Sequence, residues 1–524
     1  MIRVDHNVGS VLLLALAGVL AGCGQRSAPS SSSQPPPPAS AARASDVAQP
    51  PGWADDLAIP SARDLNPDPH VLEINLEAKQ VDLEILPGKR TPIWTYNGQL
   101  PGPLLRAQVG DRVIVHFKNS LPVETTIHWH GLRISNDMDG APGVTQPPIA
   151  PGAEFRYEFV LKDAGTYWYH PHVDSAVQVG RGLYGPIVVE DPNDPKAFGD
   201  DLVLMLSDIS LDEEGQPLPG DNGGQFGNLF GREGSTLLVN GKVVPHLKVR
   251  TGKQQRWRIV NAARARYFNL RLPGHRFVRL GGDNGLAARS EDVYNVVVAP
   301  GERADAVFTP ADPPGSHKVL QWVPFDRGYG STFNRPREDL LAIDTVEAPA
   351  VLPAPIPETL RTIEPIDVAG ATERTLAFMI ALNGRDVVMG FNGVPYDHVR
   401  PIETRLGETE VWKLVNDTDF AHPFHLHGYF FQVLDDTRVP EWKDTISVPS
   451  KSELKIAVRF DERPGMWMYH CHILDHAEAG MMGHLHVVDP NAPVTESVPP
   501  ARHLHAPAHG PSAPRADAGA AGHE

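Results

Sequence analysis

The chain has 524 residues, 41% of them hydrophobic and 21% charged, the balance of a globular protein long enough for three or four domains. A formal charge of −17 argues against a nucleic-acid partner, which needs a basic face. Acidity otherwise reports solubility and names no substrate.

In chain order, Arg3 and the amino terminus precede an apolar run from Val8 to Leu20. The run is short of the ~20 residues of a spanning helix but suits a signal-peptide core. The Leu-Ala-Gly-Cys that closes it at Cys23 resembles the lipobox of bacterial lipoproteins. That resemblance implies a cleaved leader over 1–23, acylation of Cys23, and an exported protein anchored to a membrane at the periplasm or cell surface. Residues 24–50 are Ser, Pro, Ala and Gln and cannot bury a core, so a disordered tether is expected over 24–59.

Beyond it the chain repeats. YNGQLPGPLLRAQVGDRVIVHFKNS (96–120) is echoed by VNGKVVPHLKVRTGKQQRWRIVNAA (239–263) and by FNGVPYDHVRPIETRLGETEVWKLVND (391–417). Asn-Gly pairs open each copy at Asn97, Asn240 and Asn392, and an alternating strand closes it. In the first copy Val113, Val115 and Phe117 share one face, which makes His116 an ordinary strand residue. A second echo follows in APGAEFRYEF (150–159), APGERADAVF (299–308) and VPSKSELKIAVRF (448–460). Short strands, regular turns and little helix indicate three consecutive β-sandwiches, near 60–192, 195–365 and 366–490. The Ala/Pro-rich remainder, 491–524, carries His503, His505, His509 and His523 and reads as a disordered tail.

Histidine pairs belong to the outer domains. HWHG (128–131) corresponds to HLHG (425–428), and GTYWYHPH (165–172) to GMWMYHCH (465–472), whereas the middle repeat has neither. Side chains two apart on a strand point the same way, so His128/His130, His170/His172, His425/His427 and His470/His472 can each face one site. The thiol of Cys471 then takes the opposite face and binds a different metal. With His476, Met481 and the unpaired His422 it forms the Cys/His₂ plus axial Met set of a blue-copper centre. With Cys23 acylated, Cys471 has no disulfide partner. The eight remaining imidazoles suffice for three metals at the interface of domains 1 and 3.

HWHG, HPH, HPFHLHG and HCHILDHAEAGM resemble the four copper signatures of multicopper oxidases, over residues 60–490. The resemblance implies three cupredoxin-like Greek-key sandwiches and four coppers. It implies a type 1 copper at His422, Cys471, His476 and Met481, and a type 2 copper at His128 and His425. A type 3 pair falls to His130, His170, His172, His427, His470 and His472. Implied partners are O₂ and a small reducing substrate, with electrons passing through Cys471 to its bonded neighbours; a monomer is expected. Asp139 matches the family's acidic Asp-Gly position and is the candidate proton donor. Where bacterial members often carry Glu after the last type 1 histidine, this chain has Ala477, with Glu478 offset by one. Asp444 resembles an acidic position near the type 1 histidine that would orient a phenol or bind a metal ion. Met379 and Met389 form the one loose Met pair of the third domain. Laccase-like oxidation of phenols or aromatic amines is favoured, with oxidation of Cu(I), Fe(II) or Mn(II) second. A plain electron carrier would not need the eight further histidines.

Overall fold

The computed structural model describes residues 42–43, 48–194, 198–328, 335–347, 351–384 and 386–491. Cys23 and the histidines of the tail lie outside the described residues. The described residues form six sheets in the sandwiches, two apiece, and one short parallel pair of Ala42–Arg43 with Val351–Leu352. In each sandwich one sheet is built on a parallel pair: Val71–Glu84 with Arg112–Asn119, Asp200–Ile209 with Gln255–Asn261, and Thr372–Asn383 with Thr409–Asn416. The strand of the second echo joins each pair antiparallel, as Glu154–Val160, Arg303–Phe308 and Ser452–Arg459.

The Asn-Gly repeats fix a further neighbour of each pair, ending the strands Arg90–Tyr96, Thr236–Val239 and Asp386–Phe391, which lie antiparallel to the first strand. Asn97, Asn240 and Asn392 have φ of 55°, 50° and 53°, each followed by a glycine with positive φ, a turn whose twist suits antiparallel neighbours. Each asparagine also staples the adjoining strand. Asn97 Oδ1 accepts from Glu77 N at 2.7 Å while its Nδ2 donates to Asn75 O at 2.9 Å. Asn240 does the same with Met205 N and Val203 O, and Asn392 with Ala377 N and Thr375 O. Alanine could make neither bond.

Val113, Val115 and Phe117 face the first core together, while His116 is exposed and pairs with Glu73 at 2.7 Å. The expected tether is too long at its C-terminal end. Leu57 is buried in the middle sandwich's core with Trp53 and Ala54 against it, and Arg250 Nε donates to Ala48 O. Apolar side chains at 53 and 57 supply the burial that the Ser/Pro stretch lacks, so ordered chain begins well before residue 60.

Candidate metal centre

Strand parity sorts the donors. His422–Leu426 pairs with Gly465–Cys471, placing Phe424 opposite Cys471 and His425 opposite His470. Phe424, Leu426, Trp467, Tyr469 and Cys471 point into the third sandwich's core. His422 shares that parity, and so faces inward with the thiol. His425, His427, His470 and His472 take the other face, toward domain 1. There His128–His130 pairs with Gly165–His170, His128 opposite His170, while Trp129, Tyr167 and Tyr169 fill the first core. Two sheets thus present imidazoles to each other across the domain interface.

The inward set is compact. His422 Nδ1 lies 3.1 Å from His476 Nδ1, and Cys471 Sγ lies 3.5 and 3.7 Å from these two nitrogens. Their outer nitrogens are engaged by Thr418 Oγ1 at 2.8 Å and Leu229 O at 3.1 Å. Met481 is fully buried in the same cluster; its N–H donates to His476 O and its carbonyl accepts from Cys471 N. Burial holds His422 well below the usual imidazole range and brings His476 down to about 3, so both are neutral donors. Burial also pushes the Cys471 thiol well up, so a thiolate here requires the charge of a bound cation.

The interface set resolves into His130, His170 and His472 as one group and His172, His427 and His470 as another, with His128 and His425 grouped beside His130. All eight are at most 5% exposed. Outer nitrogens are again occupied: His128 Nδ1 by Asp139 O at 2.8 Å, His170 Nδ1 by Pro171 O, His425 Nδ1 by Asp444 O and His470 Nδ1 by Cys471 O. His130 is reversed, with Nε2 against Asp444 and Thr445. His128 Nε2, His130 Nδ1, His170 Nε2 and His425 Nε2 are buried with no hydrogen-bond partner among the described residues. Buried polar atoms in that state are costly unless they bind something, and an imidazole fixed through its far nitrogen is a prepared metal ligand. Both donor sets fit copper.

Asp139 touches the interface set. Its Oδ2 accepts from His427 Nδ1 at 2.9 Å, and its Oδ1 lies 3.3 Å from His128 Nδ1. Burial alone would raise this carboxyl, but the neighbouring His427 and His128 outweigh it and hold it well below the usual range. Burial brings His427 down to about 3, so a neutral imidazole donates to a carboxylate. Glu478 is elsewhere: its Oε1 accepts from Ser175 N at 2.8 Å and Ser175 Oγ at 2.9 Å. Ala477 is buried against Ala141, Tyr396, Met468 and Met482.

Asp444 does not lie at the type 1 histidine. The register sets His425 opposite Thr445 and His422 opposite Val448, so Asp444 falls at the far end of the strand. It is 1% exposed, clamped through both carboxylate oxygens by Arg303, and its Oδ1 is 3.1 Å from His130 Nε2. No substrate can reach it. The Met pair fails for a similar reason: Met379 pairs with Gly390 and Met389 with Ile380, which puts the two thioethers on opposite faces.

Sequence reasoning missed the charges that lock the middle domain to the site. Arg303, from the second echo, reaches Asp444 and the main chain of Asp283, while Lys443 Nζ lies 3.1 Å from both Asp283 Oδ2 and Glu302 Oε1. A Cβ at Gly131, which has φ +87°, would strike Arg303 and Asp444, so the glycine of HWHG makes room for this clamp. Asp475, between the thiol and His476, accepts from Arg232 N at 2.7 Å and Arg264 Nη2 at 2.6 Å. These partners are about 140 to 240 residues apart, and no local pattern marks them.

A thiolate-type site wired by adjacent residues to an imidazole cluster, on three sandwiches, defines a copper-dependent oxidoreductase. Residues 77–194, 200–335 and 367–491 each match a family model described as multicopper oxidase. Multicopper oxidase MmcO of Mycobacterium tuberculosis is 32% identical over 424 residues, covering 74% of this chain and 81% of that protein. The laccase of Bacillus subtilis is 28% identical, with 76% and 91% covered. A solved structure, the multicopper oxidase from Campylobacter jejuni described as a metallo-oxidase, superposes with a TM-score of 0.73 at 30% identity, covering 82% and 94%. The chain belongs to the multicopper oxidase family and is an oxidoreductase that uses oxygen.

Proposed function

We propose that His422, Cys471, His476 and Met481 hold a type 1 copper and His128 with His425 a type 2 copper. His130, His170, His472 and His172, His427, His470 hold the type 3 pair. The observation that carries this is the division of His470-Cys471-His472 between two separately closed donor sets. Bound copper would supply one-electron steps from a reducing substrate at the type 1 site to O₂ at the interface set, yielding water.

The chain's own residues do the rest. Cys471 joins the sets covalently through His470 and His472. The oriented imidazoles keep their lone pairs aimed inward, and burial excludes bulk water. Asp139 is the carboxylate that serves proton delivery: Arg303 ties up Asp444, whereas the partners of Asp139 are imidazoles. Loaded protein is expected to be blue with about four coppers per chain. Cys471→Ser is expected to lose the colour and the oxidase activity while keeping the interface copper. A wild type with one copper and no oxygen uptake would overturn the assignment in favour of an electron carrier.

The favoured substrates are phenols and aromatic amines. His476 Nε2 is covered by Leu229 O on the helix Gly224–Phe230, which carries Phe226, 73% exposed, and no methionine. An apolar aromatic cover suits aromatic donors better than Cu(I), which seeks thioethers. Metal-ion oxidation is the second reading, favoured by the Campylobacter jejuni relative described as a metallo-oxidase. Oxygen uptake against phenols, aromatic amines, Cu(I), Fe(II) and Mn(II) decides between them.

The protein acts as an exported lipoprotein acylated at Cys23. It should fractionate with membranes and require detergent, and Cys23→Ser should disturb processing without changing copper content. A soluble, unacylated wild type cleaved elsewhere would contradict this.

A further inference from the structure

The interface imidazoles are buried, so an incoming ion needs a way in. The hairpin that carries His470 offers one. Its two strands, Gly465–Cys471 and Met482–Val488, pair so that Met466 faces His486, Met468 faces His484 and His470 faces Met482. Directly opposed residues of an antiparallel pair project to the same side, with Cβ atoms ~5 Å apart. The intervening Trp467, Tyr469, Leu485 and Val487 fill the third core. Methionine and histidine therefore form three successive rungs on the outer face of these two strands.

The rungs run from the periphery to the cluster. Met466 and His486 are half-buried; Met468, His484 and Met482 are 2%, 4% and 4% exposed. At ~3.4 Å per residue the four steps from Met466 to His470 span roughly 14 Å. Domain 1 roofs this face with the segment that bears Asp139: Asn136 Nδ2 donates to Met466 O at 2.6 Å, and Ala141 packs with Met468 and Met482. His484 Nε2 is 2.6 Å from the Tyr396 hydroxyl, which fixes the ring.

Packing alone does not ask for these residue types. The matching hairpin of domain 1 pairs Thr166 with Val188 and Trp168 with Pro186 at the positions of Met466/His486 and Met468/His484. The same fold position is filled there without a single soft donor. Thioether with imidazole is the donor pair that selects a soft monovalent cation over Mg²⁺ or Ca²⁺.

We propose that the Met466/His486 and Met468/His484 rungs bind Cu(I) and pass it by ligand exchange to Met482 and His470, loading the interface centre. No electron or proton is transferred in these steps; one Met/His donor pair replaces the next. The inference rests on the copper reading above.

The test has two arms. Copper-loaded protein is equilibrated with Ag(I), a redox-inert soft cation, and the silver retained after gel filtration is counted beside the copper. Separately, metal-free protein is given Cu(I) under argon and its copper content is followed with time. The expected variant is Met466→Leu/Met468→Leu, close in volume and lacking both thioethers. Met379→Leu, off the ladder, is the control. Wild type and control should retain one additional silver that the double variant loses. The double variant should reach the same final copper content at least tenfold more slowly. Equal silver binding and equal loading rates in all three proteins would overturn the ladder. A wild type that takes up no copper would instead overturn the copper reading, and the silver lost between metal-free wild type and the metal-free double variant would then read the ladder.

Discussion

Asp444 and Asp139 are both buried carboxylates against site histidines, yet their partners give them different work. Asp444 balances Arg303, which is 2% exposed and has no route to water. Removing one member of such a pair strands the other, at a cost of about 3–5 kcal/mol. Asp444→Ala is therefore expected to lower denaturant stability by that amount without a specific rise in KM for phenols. A KM effect at unchanged stability would restore it to the substrate site. Asp139 faces imidazoles, and asparagine can still accept from His427. Asp139→Asn should bleach with reductant at the wild-type rate but regain colour in oxygen at least tenfold more slowly, about 1.4 kcal/mol on the barrier. Unchanged reoxidation in stopped flow would reduce Asp139 to a turn residue.

At the scale of elements, the helix Gly224–Phe230 stands between solvent and His476. Phe226 is 73% exposed, so Phe226→Ala should leave stability within about 0.5 kcal/mol. If the ring docks aromatic donors, losing that apolar contact should raise KM for a bulky phenol about fivefold with kcat held, roughly 1 kcal/mol. A KM that stays put would move docking elsewhere. Elements also mark how far the sequence could be read. The Asn-Gly turns and the period-two alternation gave both the sandwiches and the division of donors, because strand parity is local. The position of Asp444 was not legible, because it depends on which residue of one strand opposes which of another. The Arg303 and Asp475 clamps depend on contacts between domains, which no alternation encodes. The Met/His ladder was written in plain alternation, Met466-x-Met468-x-His470 and Met482-x-His484-x-His486, but its meaning needed the pairing of the two strands.

For the whole molecule, acid should be the weak point of the metal-free form. Burial holds His130, His170, His422, His425, His427, His470, His472 and His476 below the ordinary imidazole range. These groups are neutral when folded but protonate near pH 6.5 when unfolded, so the unfolded state binds more protons and stability falls as pH drops below 6.5. Each contributes up to about 1.4 kcal/mol per pH unit, against a total stability of ~5–15 kcal/mol. The metal-free protein should lose its cooperative melt by about pH 5, while copper, which competes with those protons, should shift the loss to lower pH. A metal-free Tm that is flat between pH 7 and pH 5 would mean the imidazoles are not buried as described.

The central claim is that one thiolate site feeds an interface centre that reduces O₂ completely. An oxygen electrode, with a one-electron phenol or aromatic-amine donor supplied in known amount, reads this directly. Four donor equivalents consumed per O₂, with no oxygen returned on adding catalase, is the expected result. Two equivalents per O₂ with peroxide accumulating would contradict it.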